Sequence, residues 1–403
     1  METPGFREEV RDFLSANLPS NWRGVGALAG AERGVFMSDW RRLMGKAKLV
    51  GVTWPVEYGG RGLTKVDHLT LVEEFSRAKV PVGMPGDTIS VKLLGNTLAK
   101  WGTHEQKLRF LPKIISGEEV WCQGYSEPEA GSDLTSLRTR AVREGDHWVI
   151  NGQKIWTSNA ANADWMFALT RTNPDAPASK GISMLLVPMD QPGIDVRPIA
   201  MLNGTDDFCE VFLTDAHTDA DLVVGAVDDG WTVANSLLAS ERGEESAVNP
   251  VLFSHELDRL FRLAKERGAD TAPGTRERLA RAYLGVSVMK SLGDKILAAY
   301  VRDGALGPES SVSKLYWSEY HQTTTRLAVD ILGTDALTWE GEMPMRWYRA
   351  DDPGAPNDSG SWLSVHLNNA MAGTVYAGTS EIQRNIIAER ILGLPRDSQR
   401  KAR

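Results

Sequence analysis

Two short segments decide the fold of this chain: Tyr125-Ser-Glu-Pro-Glu-Ala-Gly-Ser-Asp133 and Asn151-Gly-Gln-Lys-Ile-Trp-Thr-Ser158. The Gly-Ser-Asp that ends the first segment predicts a turn whose backbone N–H groups can meet an anion such as a pyrophosphate. Ser126 and Ser158 carry short hydroxyls that can donate to a ring nitrogen or carbonyl oxygen. Trp156 offers a flat apolar wall, or else it packs in the core. Together the segments predict a flavin site.

Composition limits the class of protein. The chain has 403 residues, which predicts two or three domains and enough core to bury a large cofactor. Its 42% hydrophobic and 24% charged residues are typical of a globular protein. The formal net charge is -8 and the sequence contains no basic block, so a nucleic acid partner is excluded.

Targeting and metal signals are weak throughout the sequence. Cys122 and Cys209 cannot build a disulfide framework, and the chain begins with Met-Glu-Thr-Pro rather than a cationic, apolar leader. No apolar run approaches the roughly 20 residues that span a bilayer. The seven histidines show no metal-ligand spacing. We therefore expect a cytoplasmic protein with no membrane span and no metal.

The first third of the sequence has a helical period. Phe6, Val10, Phe13 and Leu14 form one apolar stripe, and a helix is predicted from Lys65. The segment Gly102-Thr-His-Glu-Gln-Lys107 opens a further helix, predicted to end near Leu111-Pro112. These patterns predict a helical N-terminal domain over residues 1–120.

From about Trp121 the pattern alternates, as in β-strands. Asn151-Gly152 lies between His147–Ile150 and Lys154–Trp156 and predicts a hairpin turn. Further strands are predicted at Trp165–Thr172, Ile182–Pro188, Ile194–Pro198 and Cys209–Leu213. This spacing predicts a β-barrel or sandwich over residues 121–229.

After Gly230 the helical period returns and continues towards the end of the sequence. The predicted helices are Trp231–Arg242, Arg276–Val301, Val312–Leu332 and His366–Leu392, with loops at 268–274 and 350–361. A four-helix bundle is therefore expected over residues 230–403. The fold class is α+β with several domains: N-terminal helices, a middle β domain and a C-terminal bundle.

In this order, the elements and motifs resemble the acyl-CoA dehydrogenases. Further matching motifs extend the resemblance over nearly the whole chain: Trp54-Pro55 with Glu57-Tyr-Gly-Gly60, Gly102-Thr103 with Glu105-Gln-Lys107, and Gly378-Thr-Ser-Glu-Ile-Gln-Arg384 with Leu392-Gly-Leu-Pro395. The resemblance implies a lipid-metabolism enzyme of fatty acid or steroid catabolism. It also implies an acyl-CoA substrate, an electron-transfer flavoprotein as acceptor, and a homo- or hetero-oligomer.

The resemblance further implies flavin adenine dinucleotide (FAD) held between the β domain and the last bundle. Ser126 and Ser158 would lie at the ring and Trp156 beside it. The full set of residues expected to bind FAD is Tyr125, Ser126, Gly131, Ser132, Trp156, Ser158, Thr379 and Glu381.

The reaction of this family removes hydrogens from the α and β carbons of a thioester, so it needs a base in a dry pocket. In most of the family a glutamate precedes the Gly-Thr of the tail, but here that residue is Ala377. Glu241 shares a helical face with Ala234 and Leu237, and some subfamilies carry their base there, before an arginine. We expect Glu241 to be the base; a salt-bridged glutamate at a helix end is the alternative reading.

Two neighbours of the reacting groups have less specific roles. Arg242 is expected to bind substrate or to support the loop of the base. Ser132 either caps its turn or contacts the thioester-bearing ligand.

Two departures from the family pattern leave other functions open. After Phe261 the chain lacks the arginine and Phe-Gly pair that reach a neighbouring flavin diphosphate in many relatives, and Asp330 stands where relatives often have glutamine. An acidic residue repels a diphosphate. These departures fit a mixed oligomer, for which heteromeric members acting on bulky ring-containing thioesters are the precedent. The alternatives are a catalytically silent subunit and a flavin oxidase or monooxygenase on the same fold.

Overall fold

The structure, a computed structural model, describes residues 2–84, 86–303, 307–341 and 353–395; side chains at 239–248, 300, 301 and 303 are outside the description. Backbone packing groups the chain into two compact units. The first unit comprises Met1–Ala16, Gly30–Leu71 and Pro81–Glu241, and the second comprises Asn17–Ala29, Val72–Val80 and Arg242–Arg403.

The first third of the chain is helical, as predicted. Phe6, Val10 and Leu14 of α1 are buried, which confirms three members of the predicted stripe. The helices in this part are α1 (Phe6–Asn17), α2 (Gly30–Lys46), α3 (Lys65–Arg77), a π-helical segment (Thr88–Gly95) continuing into α4 (Asn96–Trp101), and α5 (His104–Ser116).

Helix α5 begins where the sequence indicates but ends later. Thr103 and Gln106 form a capping box, in which each side chain bonds the backbone N–H of the other residue. The predicted end near Leu111-Pro112 was wrong, because the helix continues through Pro112 to Ser116. Gly117, in the left-handed conformation at φ 79°, then ends it.

The middle of the chain forms an eight-stranded sheet. Its order is β6-β7-β3-β2-β4-β5-β8, and β1 pairs in parallel with β4. The strands are β1 (Trp121–Gly124), β2 (Arg140–Glu144), β3 (His147–Ser158), β4 (Trp165–Arg171), β5 (Ile182–Pro188), β6 (Ile194–Ile199), β7 (Phe208–Asp219) and β8 (Val223–Val224). Alternate residues of these strands supply a buried apolar cluster that includes Ile150, Met166, Leu185, Val187, Val211 and Leu213.

The predicted hairpin at Asn151-Gly152 was wrong. Both residues lie inside the continuous strand β3, and the hairpin turn instead lies at residues 145–146, between β2 and β3. The pairing of β3 with β7 shifts register between Ile150 and Gly152, which marks a bulge. A Cβ at Gly152 would lie 2.5 Å from Thr139 Oγ1, so glycine is needed here for close approach.

The last part of the chain is again helical. Its core includes Leu260, Leu263, Met289, Trp317, Ala328 and Trp362. The elements are α6 (Gly230–Glu266), α7 (Pro273–Asp303), α8 (Glu309–Leu332), α9 (Ser359–Ser364), a π-helical segment (Val365–Ala370), α10 (Met371–Gly373), α11 (Ser380–Ile386) and a second π-helical segment (Ile387–Ile391).

Two predicted C-terminal helices had the wrong extent. Helix α6 continues to Glu266, well past the predicted end at Arg242. The predicted helix His366–Leu392 is interrupted by an irregular loop at residues 374–379. Residues 353–358 lie outside any helix, as the predicted 350–361 loop requires, and residues 350–352 are outside the described part. The end of the predicted loop was wrong, because residues 359–361 already belong to α9. The three-part α+β fold is confirmed, and its exact domain bounds remain predictions.

Candidate active site

The two motif segments are joined directly in the first unit. The backbone N–H of Ile155 in β3 donates to the carbonyl of Ser126 at 3.0 Å. Lys154 donates through Nζ to the carbonyl of Tyr125 at 3.2 Å and to that of Leu169 at 2.7 Å. The structure therefore places Tyr125 and Ser126 against Lys154 and Ile155 of β3, the residues that directly precede Trp156.

A buried ion pair anchors this junction. Lys154 is fully buried, and its Nζ lies 2.8 Å from Oε1 of the buried Glu127. The Glu127 carboxylate also accepts from the backbone N–H groups of Arg138 at 2.6 Å and Thr139 at 2.9 Å. Burial lowers the pKa of Lys154 to about 8, although Glu127 opposes this shift. Burial would raise the pKa of Glu127, but the Lys154 charge and these hydrogen bonds lower it.

Trp156 is presented to the outside of the chain rather than packed in it. Its side chain is 56% exposed, and its backbone has the left-handed φ of 59°, which is rare for an aromatic residue. The register of β3 on β7 shifts between Lys154 and Thr157, and such bulges re-aim side chains. Phe208 meets the indole edge to face, with ring centroids 6.2 Å apart. The core-packing alternative for Trp156 is therefore wrong for this chain.

Polar groups near this ring are free to bind a ligand. The Ser126 and Ser158 hydroxyls are half-buried and have no hydrogen-bond partner among the described residues. The buried Thr157 Oγ1 likewise has none within the described part of the chain. An exposed indole face with unpaired hydroxyl donors fits a flat, polar-edged ring such as a flavin.

The predicted turn at residues 131–133 forms and lies exposed. Within the described residues, no acceptor is found for the backbone N–H groups of Gly131, Ser132 and Asp133. The Ser132 side chain makes no capping hydrogen bond to the described residues, which removes one of its two predicted roles. Three adjacent free N–H groups are suited to an anion, so this turn also fits a phosphate-bearing ligand.

Thr379 and Glu381 lie together at the start of α11, in the second unit. Thr379 Oγ1 accepts from the backbone N–H of Ile382 at 3.2 Å and so caps the helix. The pKa of the exposed Glu381 is lowered, first by its own backbone N–H and next by the Thr379 hydroxyl. Both side chains thus help to stabilise the beginning of α11.

The loop that carries Ala377 is held by two buried side chains that sequence reasoning missed. Lys314 of α8 donates through Nζ to the carbonyls of Gly373 and Gly378, each at 2.8 Å. Gln383 donates through Nε2 to the carbonyls of Ala377 at 3.1 Å and Gly378 at 3.2 Å. Ala377 itself has the left-handed φ of 51°. The loop is therefore fixed even though the family's usual glutamate is absent from it.

Asp330 is paired rather than isolated. Its carboxylate lies 2.8 Å from Arg278 Nη2 of α7 and 3.3 Å from Arg326 Nε of α8. Arg267 forms a similar ion pair with Asp335. The repulsion expected between Asp330 and a diphosphate is thus countered by adjacent guanidinium groups, which sequence reasoning did not identify.

The predicted base and its neighbour lie on α6. Glu241 and Arg242 are helical residues, but their side chains are outside the described part of the structure. Upstream on the same helix, Ala234 and Leu237 are buried. Across the described residues, no group of His, Cys, Asp and Glu side chains could hold a metal ion. Helices long and apolar enough to cross a membrane are also absent from the described ranges.

Three family models match the chain along its length. They are the acyl-CoA dehydrogenase N-terminal domain at residues 2–118, the middle domain at 122–216 and the C-terminal domain at 228–392. The chain therefore belongs to the acyl-CoA dehydrogenase family, whose members are flavin-dependent oxidoreductases.

Individual relatives match over the same extent. Acyl-CoA dehydrogenase IpdE1 of Mycobacterium tuberculosis is 42% identical, with 98% of each chain covered. Among solved structures, the Tcur3481-Tcur3483 steroid ACAD is 32% identical with a TM-score of 0.79, covering 98% of this chain and 99% of that one. The ChsE4-ChsE5 complex from M. tuberculosis is 30% identical with a TM-score of 0.76, covering 98% and 99%. These matches confirm the resemblance seen in the sequence motifs.

Proposed function

We propose that this chain removes two hydrogens from the α and β carbons of an acyl-CoA thioester, with bound FAD as cofactor and Glu241 as the base. The observation that carries the proposal is the exposed indole of Trp156 on a strained bulge, next to the segment with the free Ser126 and Ser158 hydroxyls. Backbone strain of this kind is concentrated at ligand sites. When bound, the flavin would accept a hydride from the substrate.

The residues of this chain divide the work of holding the cofactor. Ser126 and Ser158 would donate hydrogen bonds to the polar edge of the ring, and Trp156 would cover one side of it. Free N–H groups at Gly131 and Ser132 would bind phosphate oxygens. Tyr125 is fixed through its carbonyl to Lys154, while Thr379 and Glu381 are proposed to contact the cofactor from the start of α11.

The α proton needs a base of this chain, because a C–H beside a thioester is only weakly acidic. Alanine cannot accept a proton, so position 377 cannot supply this base. Ala234 and Leu237, seven and four residues before position 241 on α6, are buried, and this helical spacing supports the choice of position 241 for the base. We assign the proton acceptor to the Glu241 carboxylate and propose that Arg242 and Ser132 bind the thioester.

The proposed substrates are bulky, ring-containing acyl-CoA thioesters, and the proposed electron acceptor is an electron-transfer flavoprotein. The substrate class rests on the similarity to the Tcur3481-Tcur3483 steroid ACAD. We propose a hetero-oligomer, supported by the similarity to the ChsE4-ChsE5 complex. Helix α7 has an exposed apolar face formed by Tyr283, Leu284 and Val288, and we propose that this face packs against another subunit.

A catalytically silent subunit is the second candidate, and Ala377 is the observation that favours it. A silent subunit has no need of a ring site, however, and the free hydroxyls of Ser126 and Ser158 argue for one. The two functions differ in the flavin content of this chain. An active chain contributes a flavin site, so about one flavin is bound per copy, either in the isolated chain or in its complex. A silent chain contributes no flavin site.

The decisive experiment mixes the flavin-loaded protein anaerobically with straight-chain, branched and ring-containing acyl-CoA thioesters. We expect the flavin absorbance to bleach with ring-containing substrates. Glu241→Gln should keep its flavin and slow bleaching roughly 100-fold or more, the usual effect of losing a general base. Glu277→Gln, on the exposed face of α7, is the matched control and should bleach normally. Normal bleaching by Glu241→Gln would show that another group takes the proton.

A further inference from the structure

A cavity of about 770 Å³ opens on the second unit, formed by segments that are distant in sequence. Its walls come from residues 22–29, Lys79, the last part of α6 (255–266) and residues 353–357. None of the residues assigned above to FAD, substrate or proton transfer lines it. The volume lies within the range of pockets that bind small organic ligands.

Hydrogen bonds between the segments fix the walls of this cavity. The Trp22 indole N–H donates to the carbonyl of Ala78 at 2.8 Å, and the backbone N–H of Gly26 donates to that of Pro353 at 3.0 Å. Within the same lining, Nη2 of the buried Arg259 of α6 donates to the carbonyl of Pro356 at 2.9 Å. The cavity is therefore built into the fold of the second unit.

Glycine makes one of these contacts possible. A Cβ at Gly24 would lie 2.1 Å from the carbonyl oxygen of Pro353, and the φ of 123° is one that other residues rarely adopt. The close approach of residues 22–29 to residues 353–357 thus depends on the absence of a side chain at Gly24.

The charge of the lining is opposite to that of the whole chain. Four permanent cations line the cavity, Arg23, Lys79, Arg259 and Arg262, against two carboxylates, Asp258 and Glu266, whereas the chain carries a formal charge of -8. The pKa of His255 is lowered, first by burial, and the nearby Lys79 charge acts in the same direction. An excess of positive charge in a concave surface concentrates anions.

The exposed cations of this lining are available to a ligand. The side chains of Arg23, Lys79 and Arg262 have no hydrogen bond or ion pair with any described residue. Arginine presents a planar set of donors that matches phosphate and carboxylate oxygens. We propose that this cavity binds a small organic anion carrying two or more phosphate or carboxylate groups. This site would be separate from the dehydrogenase site.

The test uses the flavin-loaded full chain. Bound FAD then occupies its own phosphate-binding site, so the probe cannot bind there. Inorganic pyrophosphate and citrate are titrated separately by isothermal calorimetry at fixed ionic strength. We expect saturable binding of at least one probe. Lys79→Gln combined with Arg262→Gln should weaken that binding about ten-fold or more, with the dehydrogenase activity unchanged. Lys265→Gln is the matched control, because Lys265 is an exposed cation of α6 that does not line the cavity.

The two probes distinguish phosphate from carboxylate recognition, and binding of either one that the cavity substitutions weaken supports the site. Arg23→Gln alone provides a second variant on a different wall and should weaken the same probe several-fold. No saturable binding of either probe would overturn the proposal. Equal affinity in the wild type and in both cavity variants would also overturn it.

Discussion

The ammonium of Lys154 lies 2.8 Å from the Glu127 carboxylate at a site closed to solvent, and this pair joins the two sequence motifs. Lys154 belongs to the segment that ends in Trp156 and Ser158, and Glu127 follows Ser126. The buried ion pair therefore helps to hold the segments that carry the three predicted ring contacts, together with the hydrogen bond from Ile155 N–H to the Ser126 carbonyl.

We expect Lys154→Met to be strongly destabilising, because it leaves the Glu127 charge buried without its partner. Breaking a buried pair in this way costs about 3 to 5 kcal/mol. The free energy of unfolding, measured by denaturant titration, should fall by that amount, and flavin content should fall with it. Lys180→Met, at a side chain that is 65% exposed, is the control and should change stability little.

The double variant Lys154→Met with Glu127→Gln separates charge from packing. It removes the uncompensated charge and keeps one acceptor oxygen. The backbone N–H groups of residues 138 and 139 bond different oxygens of the Glu127 carboxylate, so one of them loses its acceptor. We expect it to be more stable than Lys154→Met alone. Equal stability of the single and double variants would mean that the buried charge is not the cause, and that packing or the lost hydrogen bonds of Lys154 to the carbonyls of Tyr125 and Leu169 cause the destabilisation.

Local periodicity was enough to predict much of this fold. The buried stripe of α1 and the strand Ile182–Pro188 follow directly from spacings of apolar residues. The errors came from local signals that tertiary structure overrides. Asn151-Gly152 is a strong turn signal, but close packing against Thr139 uses its glycine for a bulge inside β3.

The candidate site was predictable in its motifs but not in its supports. Ser126, Trp156 and Ser158 are part of recognisable sequence patterns. Lys314 instead bonds the carbonyls of Gly373 and Gly378, about 60 residues away in sequence. Gln383 bonds the carbonyl of Ala377, only a few residues away. A lysine in a helix gives no sign of which carbonyl it will bind. A buried lysine is rare, and its partners become known only when the fold is known.

We expect Trp156→Ala to lower the flavin-to-protein ratio several-fold while the chain remains folded. More than half of the indole is exposed, so its removal should change stability by less than about 1 kcal/mol. The flavin absorbance per chain and the thermal unfolding of the protein measure the two effects. Trp339→Ala, at an exposed tryptophan of the second unit, should keep its flavin. Full flavin content in Trp156→Ala would remove Trp156 from the site.

Placing a glutamate at position 377 tests whether the family's usual base position still works. Lys314 and Gln383 fix the backbone of this loop, so we expect Ala377→Glu to present its carboxylate without rearranging the loop. In the Glu241→Gln background it should restore bleaching by about ten-fold or more, as a positioned base would. Ala377→Gln in that background is the control and should restore none. Equal rates for the two would show that position 377 has lost access to the substrate.

The burial of His366 makes the stability of the protein sensitive to acid. Burial lowers the pKa of His366, Arg326 and His321 lower it further, and Asp330 opposes them. The unfolded chain therefore takes up this proton at a higher pH than the folded chain does. Stability contributed by the neutral imidazole is present above about pH 6.5 and decreases as the pH falls towards the folded pKa.

We expect His366→Gln to reduce this acid sensitivity. Glutamine can still bond Thr325 Oγ1, which lies 3.0 Å from His366 Nδ1. The drop in unfolding temperature between pH 7.5 and pH 5.5 should be smaller in His366→Gln than in the wild type. His147→Gln, at a half-exposed histidine of β3, should behave like the wild type. An unchanged drop in His366→Gln would assign the acid sensitivity to other groups.

The exposed face of α7 provides a test of the proposed oligomer. Tyr283, Leu284 and Val288 are 58%, 60% and 45% exposed, and Leu284 and Val288 are one helical turn apart. A charge at Leu284 would have to be desolvated in an interface, so we expect Leu284→Asp to raise the dissociation constant of the oligomer roughly ten-fold or more. Sedimentation velocity over a concentration series measures this change. Val35→Asp, on an apolar residue of α2 that is 62% exposed, is the matched control. If Leu284→Asp keeps the mass of the wild-type oligomer at every concentration, the interface lies on another surface.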